Sequence, residues 1–98
     1  MREDFDHYDL GYQFIGFDEV KLVIVELNYS ANVMLMTDIN FDMYKMGLSC
    51  SYYGGYAQQS PVRLKIPFGG HWHVVVDNGG DPMLGIRSSC SVRTIGGY

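Results

Sequence analysis

The alternation of hydrophobic and polar positions predicts β-strands in the second half of the chain. In residues 62–66, the apolar side chains Val62, Leu64 and Ile66 alternate with two basic residues, Arg63 and Lys65. A period of two is typical of a strand with one buried face. The segment therefore predicts a strand whose basic side chains point to solvent.

The next segment, residues 71–77, alternates in the same way. Its residues divide between two faces, with Trp72, Val74 and Val76 on one and His71, His73, Val75 and Asp77 on the other. The indole has the largest apolar surface to bury. We therefore predict that the tryptophan face packs in the core and that both imidazoles point outward, half exposed.

A third segment, residues 84–93, also alternates with a period of two. One face carries Leu84, Ile86, Ser88, Cys90 and Val92, and the other carries Arg87, Ser89, Ser91 and Arg93. Glycine doublets occur at 54–55, 69–70, 79–80 and 96–97. Glycine adopts positive φ without steric cost, so these doublets predict tight turns between strands.

The first half of the chain contains the most apolar segment. Residues 20–27 are apolar on both faces apart from Lys21 and Glu26, which predicts a central strand covered on both sides. Residues 32–36 predict a further strand. The segment before residue 20 carries large apolar residues at one parity, namely Tyr8, Leu10, Tyr12 and Phe14.

One short helix is predicted between Asp38 and Met46. Asp38 can cap its N-terminus. Ile39, Met43 and Met46 recur at i, i+4 and i+7 and form its apolar stripe. Gly47 suits the left-handed conformation that ends many helices.

These elements predict an all-β fold, either a β-sandwich or a jelly-roll-like arrangement of about six or more strands, with one short helix near residues 38–46. The chain has 98 residues and shows no internal repeat, linker or low-complexity tract. We therefore expect a single domain over residues 1–98 with one core.

Composition places the chain among globular proteins. Apolar residues make up 47% and charged residues 18%, and the longest aliphatic runs fall far short of the ~20 residues that cross a bilayer. The acidic first residues lack the apolar stretch of a secretory signal, so we expect a cytoplasmic protein. Cys50 and Cys90 show no C-x-x-C spacing, which favours free thiols, although export would allow a disulfide.

Charge is distributed unevenly along the chain. The net charge of −4 argues against indiscriminate nucleic-acid binding, which requires a basic surface. Residues 1–42 carry a net charge of −7, whereas residues 43–98 carry +3. Opposite signs in the two halves allow self-association, which favours a homo-oligomer.

Four segments are distinctive in combination. They are Asp38-Ile39-Asn40-Phe41 with Tyr44, Tyr52-Tyr53-Gly54-Gly55, Ser60-Pro61-Val62-Arg63-Leu64, and Gly70-His71-Trp72-His73-Val74-Val75-Val76-Asp77. Together they resemble an uncharacterised bacterial family, domain of unknown function 1883, from about Ala31 to Val92. The resemblance implies a compact all-β sandwich, found alone or joined to signalling domains of the Toll/interleukin-receptor type. It implies no established activity and no catalytic residue.

The sharpest candidate for chemistry is the H-x-H-x3-D array of His71, His73 and Asp77. Residues at i and i+2 of a strand project from the same face, so two imidazoles and a strand-end carboxylate can hold a metal, and cupin-type sites begin with similar spacing. No histidine follows His73, so the site is incomplete unless His7, Cys50 or another chain contributes. The alternative that we favour is a half-exposed polar face followed by an Asp-Asn-Gly-Gly turn.

A second candidate is a basic outer face. If the three alternating strands are neighbours in one sheet, their polar faces can receive an anion such as a nucleotide or phosphate. The more common alternative is a solvated face that protects a sheet edge from aggregation. The residues of this face are Arg63, Lys65, Arg87 and Arg93, to which His71 and His73 can add.

A third candidate is the aromatic loop from Tyr52 to Tyr56, followed by Gln58 and Gln59. Tyrosine rings stack on sugars or partner surfaces, and amides hydrogen-bond to them. The alternative is that one tyrosine fills the core and the others line a turn.

No catalytic set is complete, because neither cysteine has a histidine nearby in sequence and there is no nucleophile elbow or phosphate loop. We therefore predict a non-enzymatic recognition module for an unknown protein partner or small anionic ligand, with no cofactor, no membrane and no nucleic-acid partner. The predicted binding residues are Tyr52, Tyr53, Tyr56, Arg63, His71, His73 and Arg87. The alternatives are a small cupin-like metal-binding protein that uses His71, His73 and Asp77, and a purely structural subunit of a larger assembly.

Overall fold

The computed structural model describes residues 5–78 and 87–95, which contain seven strands and one helix. The helix α1 (Asp38–Lys45) lies between the third and fourth strands. The all-β class and the short helix predicted from the sequence are confirmed. The strands are β1 (Asp6–Gln13), β2 (Val20–Leu27), β3 (Ala31–Thr37), β4 (Tyr53–Ala57), β5 (Val62–Lys65), β6 (Gly70–Asp77) and β7 (Ser88–Ile95).

The strands form two antiparallel sheets that pack face to face. The order of the larger sheet is β1-β6-β3-β4, and the order of the smaller sheet is β5-β2-β7. Two of the three strands expected to be neighbours, β5 and β7, lie in the same sheet on either side of β2. The third, β6, belongs to the opposite sheet, so its polar face points away from theirs.

The core lies between the two sheets. Val23 and Val25 of β2 are fully buried against the inner faces of β3 and β6, and Trp72 is fully buried with them. The tryptophan face of residues 71–77 therefore packs in the core, as predicted. Leu84, Ile86 and the doublets at 79–80 and 96–97 lie outside the described residues.

The helix α1 covers the outer face of the four-stranded sheet. Phe41 and Tyr44 are its buried residues, and they pack against Met34, Met36 and Val75. Phe41 and Tyr44 lie at i and i+3, on one side of the helix. Over so short a helix, two large aromatic side chains bury more apolar surface than two aliphatic side chains would.

The apolar stripe found in the sequence of α1 lies mostly on the exposed side of the helix. The side chain of Ile39 is 73% exposed and that of Met46 is 62% exposed. Asp38 was also expected to cap the helix, whereas Thr37 holds the N-cap position and Asp38 is the first helical residue. Gly47 ends the helix as predicted, with a φ of 77° and its N–H donated to the carbonyl of Tyr44.

The central strand β2 is covered on one side only among the described residues. Its inner face is buried, but Val20, Leu22 and Ile24 on the outer face stay partly exposed. The prediction of a strand covered on both sides is therefore half right. Within the described residues, no helix combines the length and hydropathy needed to cross a bilayer.

The doublet Gly54-Gly55 lies inside β4 and not in a turn. The backbone φ of Gly54 is 112°, and a Cβ there would lie 2.2 Å from the carbonyl oxygen of Val33 on the neighbouring strand. Close approach of the two backbones therefore requires glycine at this position. Residues 53–56 of the predicted aromatic loop therefore belong to the edge strand β4, and Tyr52 immediately precedes it.

A β-bulge in β1 changes which side chains face the core. Asp9 pairs with His73 and Gly11 pairs with Trp72, so Leu10 is an extra residue. Tyr8 and Leu10 pack on the core, but the predicted common parity ends there. Tyr12, beyond the bulge, pairs with His71 and is largely exposed.

Candidate functional site

The three histidines of the chain meet on the outer face of the four-stranded sheet. His71 and His73 project from β6, and their rings stack with centroids 4.7 Å apart. His7 projects from the neighbouring strand β1, and its ring centroid lies 5.0 Å from that of His73. The pairing of β1 with β6 therefore brings together residues that are more than sixty positions apart in sequence.

Two carboxylates connect these imidazoles into a chain of contacts. His71 Nε2 donates to Asp9 Oδ1 at 2.5 Å, and His71 Nδ1 lies 3.3 Å from Asp38 Oδ2. The other oxygen of Asp38 accepts a hydrogen bond from His73 Nε2. His7 Nε2 lies 2.8 Å from His73 Nδ1, within hydrogen-bond distance. We call these five residues, Asp9, Asp38, His7, His71 and His73, the His/Asp cluster.

Three elements position the cluster. Asp9 is held by the bulge of β1, where its Oδ1 also accepts the N–H of Gly11 at 2.8 Å. Asp38 comes from the first turn of α1. Phe41, one turn further along the helix, stacks on His7 with centroids 4.0 Å apart and on His73 at 4.6 Å. Helix packing therefore fixes the plane of both imidazoles.

The cluster is buried on one side and open on the other. His73 is 5% exposed, whereas Asp9 and Asp38 are exposed and His71 is half buried. The prediction that both imidazoles are half exposed is thus correct for His71 and wrong for His73, because α1 covers the latter.

Electrostatics follows from these contacts. The hydrogen bond to Asp9 raises the pKa of His71, and the same bond lowers the pKa of Asp9. Partial loss of hydration, followed by the proximity of His73, lowers the pKa of His7. A protonated His71 between two carboxylates is therefore favoured, whereas a charged His7 is disfavoured.

The cluster has the spacing of a metal site. One ligand atom from each of Asp9, His71 and His73 lies within 4.8 Å of the other two. Asp38 contacts both of these histidines through separate oxygens. Two imidazoles and two carboxylates on one open side are a typical donor set for divalent transition metals.

Asp77, the carboxylate that the sequence assigned to this array, lies elsewhere. It is on the same face of β6, but it is buried and accepts a hydrogen bond from the phenol of Tyr44. Asp9 and Asp38 occupy the position beside the histidines that was expected for Asp77. The sequence spacing H-x-H was therefore informative, whereas the downstream aspartate belongs to the helix contact.

The residues of the predicted basic face do not lie on one surface. Arg63 and Lys65 of β5 and Arg93 of β7 lie on the outer face of the three-stranded sheet, on either side of Leu22 and Ile24. Arg87 lies near Asn28, whose side chain accepts its backbone N–H at 2.6 Å, beside a cleft of about 370 Å³. His71 and His73 belong to the opposite outer face of the sandwich.

The three tyrosines predicted to bind a ligand also lie in different places. Tyr52 and Tyr53 line a cleft of about 390 Å³, and Tyr53 makes an edge contact with the ring of Trp72 at 5.9 Å. Phe68 lies across the cleft, 5.0 Å from the same indole. Tyr56 pairs with Asn32 on the outer face and does not line the cleft.

Sequence reasoning missed Asp9 and Asp38 and named His7 only as an open option. The spacing of His7 and Asp9 at i and i+2 of one strand was a signal for a shared face. No local pattern links them to residues 71–73, because the link is a strand pairing. Cys50 and Cys90 are free thiols, as favoured from their spacing, and burial raises the pKa of Cys90 to about 11.

Comparison with known proteins identifies the family. No curated protein and no solved structure matches the chain. The model of a family described as domain of unknown function, DUF1883, matches residues 4–94. The match includes β1, which supplies His7 and Asp9, as well as the segment that carries the resemblance. The chain therefore belongs to the DUF1883 family.

Proposed function

We propose that this protein binds one divalent transition-metal ion at the His/Asp cluster. The observation that carries the proposal is the convergence of Asp9, His71 and His73, with ligand atoms within 4.8 Å of one another, beside a second carboxylate from Asp38. Imidazole nitrogens with carboxylate oxygens suit zinc, nickel, cobalt, manganese or ferrous iron.

The separations between donor atoms are compatible with one ion. Metal–nitrogen and metal–oxygen bonds of about 2.0–2.2 Å place neighbouring ligand atoms about 3–3.5 Å apart. The ligand atoms of Asp9, His71 and His73 lie within 4.8 Å of one another, so side-chain rotation would bring them to this spacing around the ion. The ion would also replace the protons that Asp38 now shares with both histidines.

The surroundings support ligation by His73. A ligating imidazole commonly has its second nitrogen held by a hydrogen bond, which fixes the tautomer and the ring orientation. His7 is placed for this role, because its Nε2 lies 2.8 Å from Nδ1 of His73. Phe41 stacks on both rings and excludes water from one side.

The exposed side of the cluster favours an open coordination position. Asp9 and Asp38 are exposed to solvent, so water or an external ligand can reach an ion held there. Structural metal sites are usually closed, whereas sites that bind a further ligand keep such a position. We therefore propose a ligand-accessible metal centre.

Metal binding can be tested with tag-free protein that has been stripped with a chelator. Titration with Zn²⁺ in a calorimeter should give one site per chain, and Co²⁺ should give visible absorption bands of a coordinated ion. His73→Gln should weaken binding by at least ~100-fold, and His7→Gln by about 10–100-fold, as measured for residues that orient a ligand.

A matched control is Asp42→Asn, which removes an exposed carboxylate of the same helix outside the cluster. It should leave both titrations unchanged. Circular dichroism must show the same fold in all variants. Absence of saturable binding in the wild type, or equal affinity in His73→Gln, would reject the metal centre and leave a structural hydrogen-bond network.

A second proposal retains the recognition role and places it at the aromatic cleft. Tyr52, Tyr53 and Phe68 present exposed rings around about 390 Å³, and Asn40 and Ser51 add polar groups. Among the described residues no cation lines this cleft, so a neutral ligand such as a sugar fits better there than an anion. Saturation-transfer NMR with neutral disaccharides should show binding that Tyr53→Ala abolishes and Tyr56→Ala preserves; equal signals in both variants would reject the cleft.

A further inference from the structure

The outer face of the three-stranded sheet combines apolar and basic side chains. Leu22 and Ile24 of β2 are partly exposed along its middle. Arg63 and Lys65 flank them on one side and Arg93 on the other, opposed only by Glu26 at one end among the described residues of β2, β5 and β7. We call this surface the basic sheet face.

The outward side of α1 is the second apolar surface without a partner in the described chain. Ile39 and Met46 are 73% and 62% exposed, and Leu48 just after the helix is 54% exposed. Asp42 lies between Ile39 and Met46 and is itself exposed. This surface, the helix stripe, contains Ile39 and Met46 of the helical apolar pattern found in the sequence.

The two surfaces are complementary in charge. Asp42 lies on the helix stripe with the ammonium group of Lys45 3.5 Å away, and Asp38 lies beside the stripe, where it also contacts His71 and His73. The basic sheet face has three cations and one carboxylate. The three cations of the basic sheet face all come from residues 43–98, and the two carboxylates at or beside the helix stripe come from residues 1–42.

The geometry points to head-to-tail self-association, in which the helix stripe of one copy docks on the basic sheet face of the next. The molecule already contains one example of such packing, because α1 covers the four-stranded sheet through Phe41 and Tyr44. A symmetric pairing of two basic sheet faces would instead place three cations against three cations. An interface between two different surfaces forms a ring or an open chain.

The residues changed to test this inference lie outside the metal centre, because neither Ile39 nor Ile24 belongs to the His/Asp cluster; Asp38 is the one residue that the cluster shares with the border of the helix stripe. Light scattering of wild-type protein should give a mass that rises with concentration above the 11.1 kDa of one chain. Added salt should weaken the association, because exposed charges are screened.

Two variants separate the surfaces. Ile39→Glu disrupts the helix stripe, and Ile24→Glu disrupts the basic sheet face. Each alone should weaken self-association by at least ~10-fold, the effect of losing one well-packed apolar contact. Mixed in equal amounts, the two variants should form a complex of two chains, because each retains the surface that the other lacks.

The matched control is Phe17→Glu, which places the same charge on a 95% exposed residue between β1 and β2. It should associate like the wild type. Charge reversal of Arg63 and Lys65 provides a second test that leaves the apolar residues intact. A wild type that stays monomeric at millimolar concentration, or two variants that fail to combine while remaining folded, would overturn the inference.

Discussion

The outer faces of the two sheets begin with similar patterns and end in different environments. On the four-stranded sheet, His71, His73 and Val75 alternate with core residues and are then covered or bordered by α1. On the three-stranded sheet, Leu22 and Ile24 alternate with core residues and stay partly exposed. The helix makes the difference, since it buries polar groups on one face whereas the more apolar face has no described cover.

The comparison shows that alternation defines the two faces of a strand but not the burial of the second face. That burial depends on an element from elsewhere in the chain. His73 becomes buried because α1 brings the ring of Phe41 over its imidazole. The polar groups beneath the helix must then find partners there, and they do so in Asp38 and His7.

The largest effect on stability is expected from removing the aromatic ring by which α1 covers the four-stranded sheet. Phe41→Ala deletes a buried ring between the helix and two imidazoles, and it should lower the free energy of unfolding by ~3–5 kcal/mol. Ile39→Ala on the exposed side of the same helix should change it by less than ~0.5 kcal/mol. Urea unfolding measures both values, and equal losses would mean that α1 packs through its other side.

The two faces of β2 can be compared by making the same substitution, valine to alanine, on each face. Val23→Ala on the fully buried inner face should cost ~2 kcal/mol, from lost burial and the cavity left behind. Val20→Ala on the outer face should cost less than ~1 kcal/mol, because that side chain is partly exposed. If the Val20 variant loses as much stability as the Val23 variant, the outer face is covered in solution.

The polar contact beneath the helix should have a smaller effect. Tyr44→Phe removes the hydroxyl that donates to buried Asp77 and should cost ~1.5 kcal/mol, as expected when a buried acceptor loses a donor. Tyr56→Phe, at an exposed position on β4, should be neutral in the same unfolding measurement. A neutral Tyr44→Phe would show that Asp77 does not depend on this donor.

The smallest expected effect is a difference in alkylation rate between thiols on the inner and outer faces of β7. Burial raises the pKa of Cys90 to about 11, so in a Cys50→Ser background it should react slowly with iodoacetamide at pH 8. A Ser91→Cys residue on the outer face should react at least ~10-fold faster, because reaction requires the thiolate. Equal rates would place Cys90 in solvent.

The same thiol gives a pH dependence with a defined sign. The pKa of Cys90 in the folded state lies above its ordinary value of 9.0, so the unfolded state releases this proton first. Its contribution to stability is present below pH 9 and is lost as the pH rises toward 11. Cys90→Ala should remove this part of the slope, whereas an unchanged slope would contradict the assignment.

Much of the fold could be predicted from local pattern. The strand at residues 71–77, its buried Trp72 and the helix end at Gly47 all follow from alternation and from glycine stereochemistry. The buried side of α1 did not follow from the pattern, because Ile39 and Met46 of the regular stripe are exposed whereas Phe41 and Tyr44 are buried. Helical spacing of apolar residues shows that they share one side of a helix, but it does not show whether that side is buried.

The candidate site was less predictable than the fold. His71 and His73 share a strand face, and sequence spacing found them. Asp9 and His7 reach them only through the pairing of β1 with β6, and Asp38 reaches them only through the docking of α1. Contacts between residues so far apart in sequence depend on topology, which a single sequence specifies only weakly.

The extra residue at the β1 bulge affects how this strand tolerates change in length. Asp9 and Gly11 pair with consecutive residues of β6, so loss of Leu10 would leave every flanking side chain on its present side. Loss of Tyr8, absorbed at the bulge, would instead pair Asp9 with Val74 and turn its carboxylate toward the core. During divergence of the family, position 10 is therefore where a single-codon deletion should be accepted without dismantling the histidine cluster.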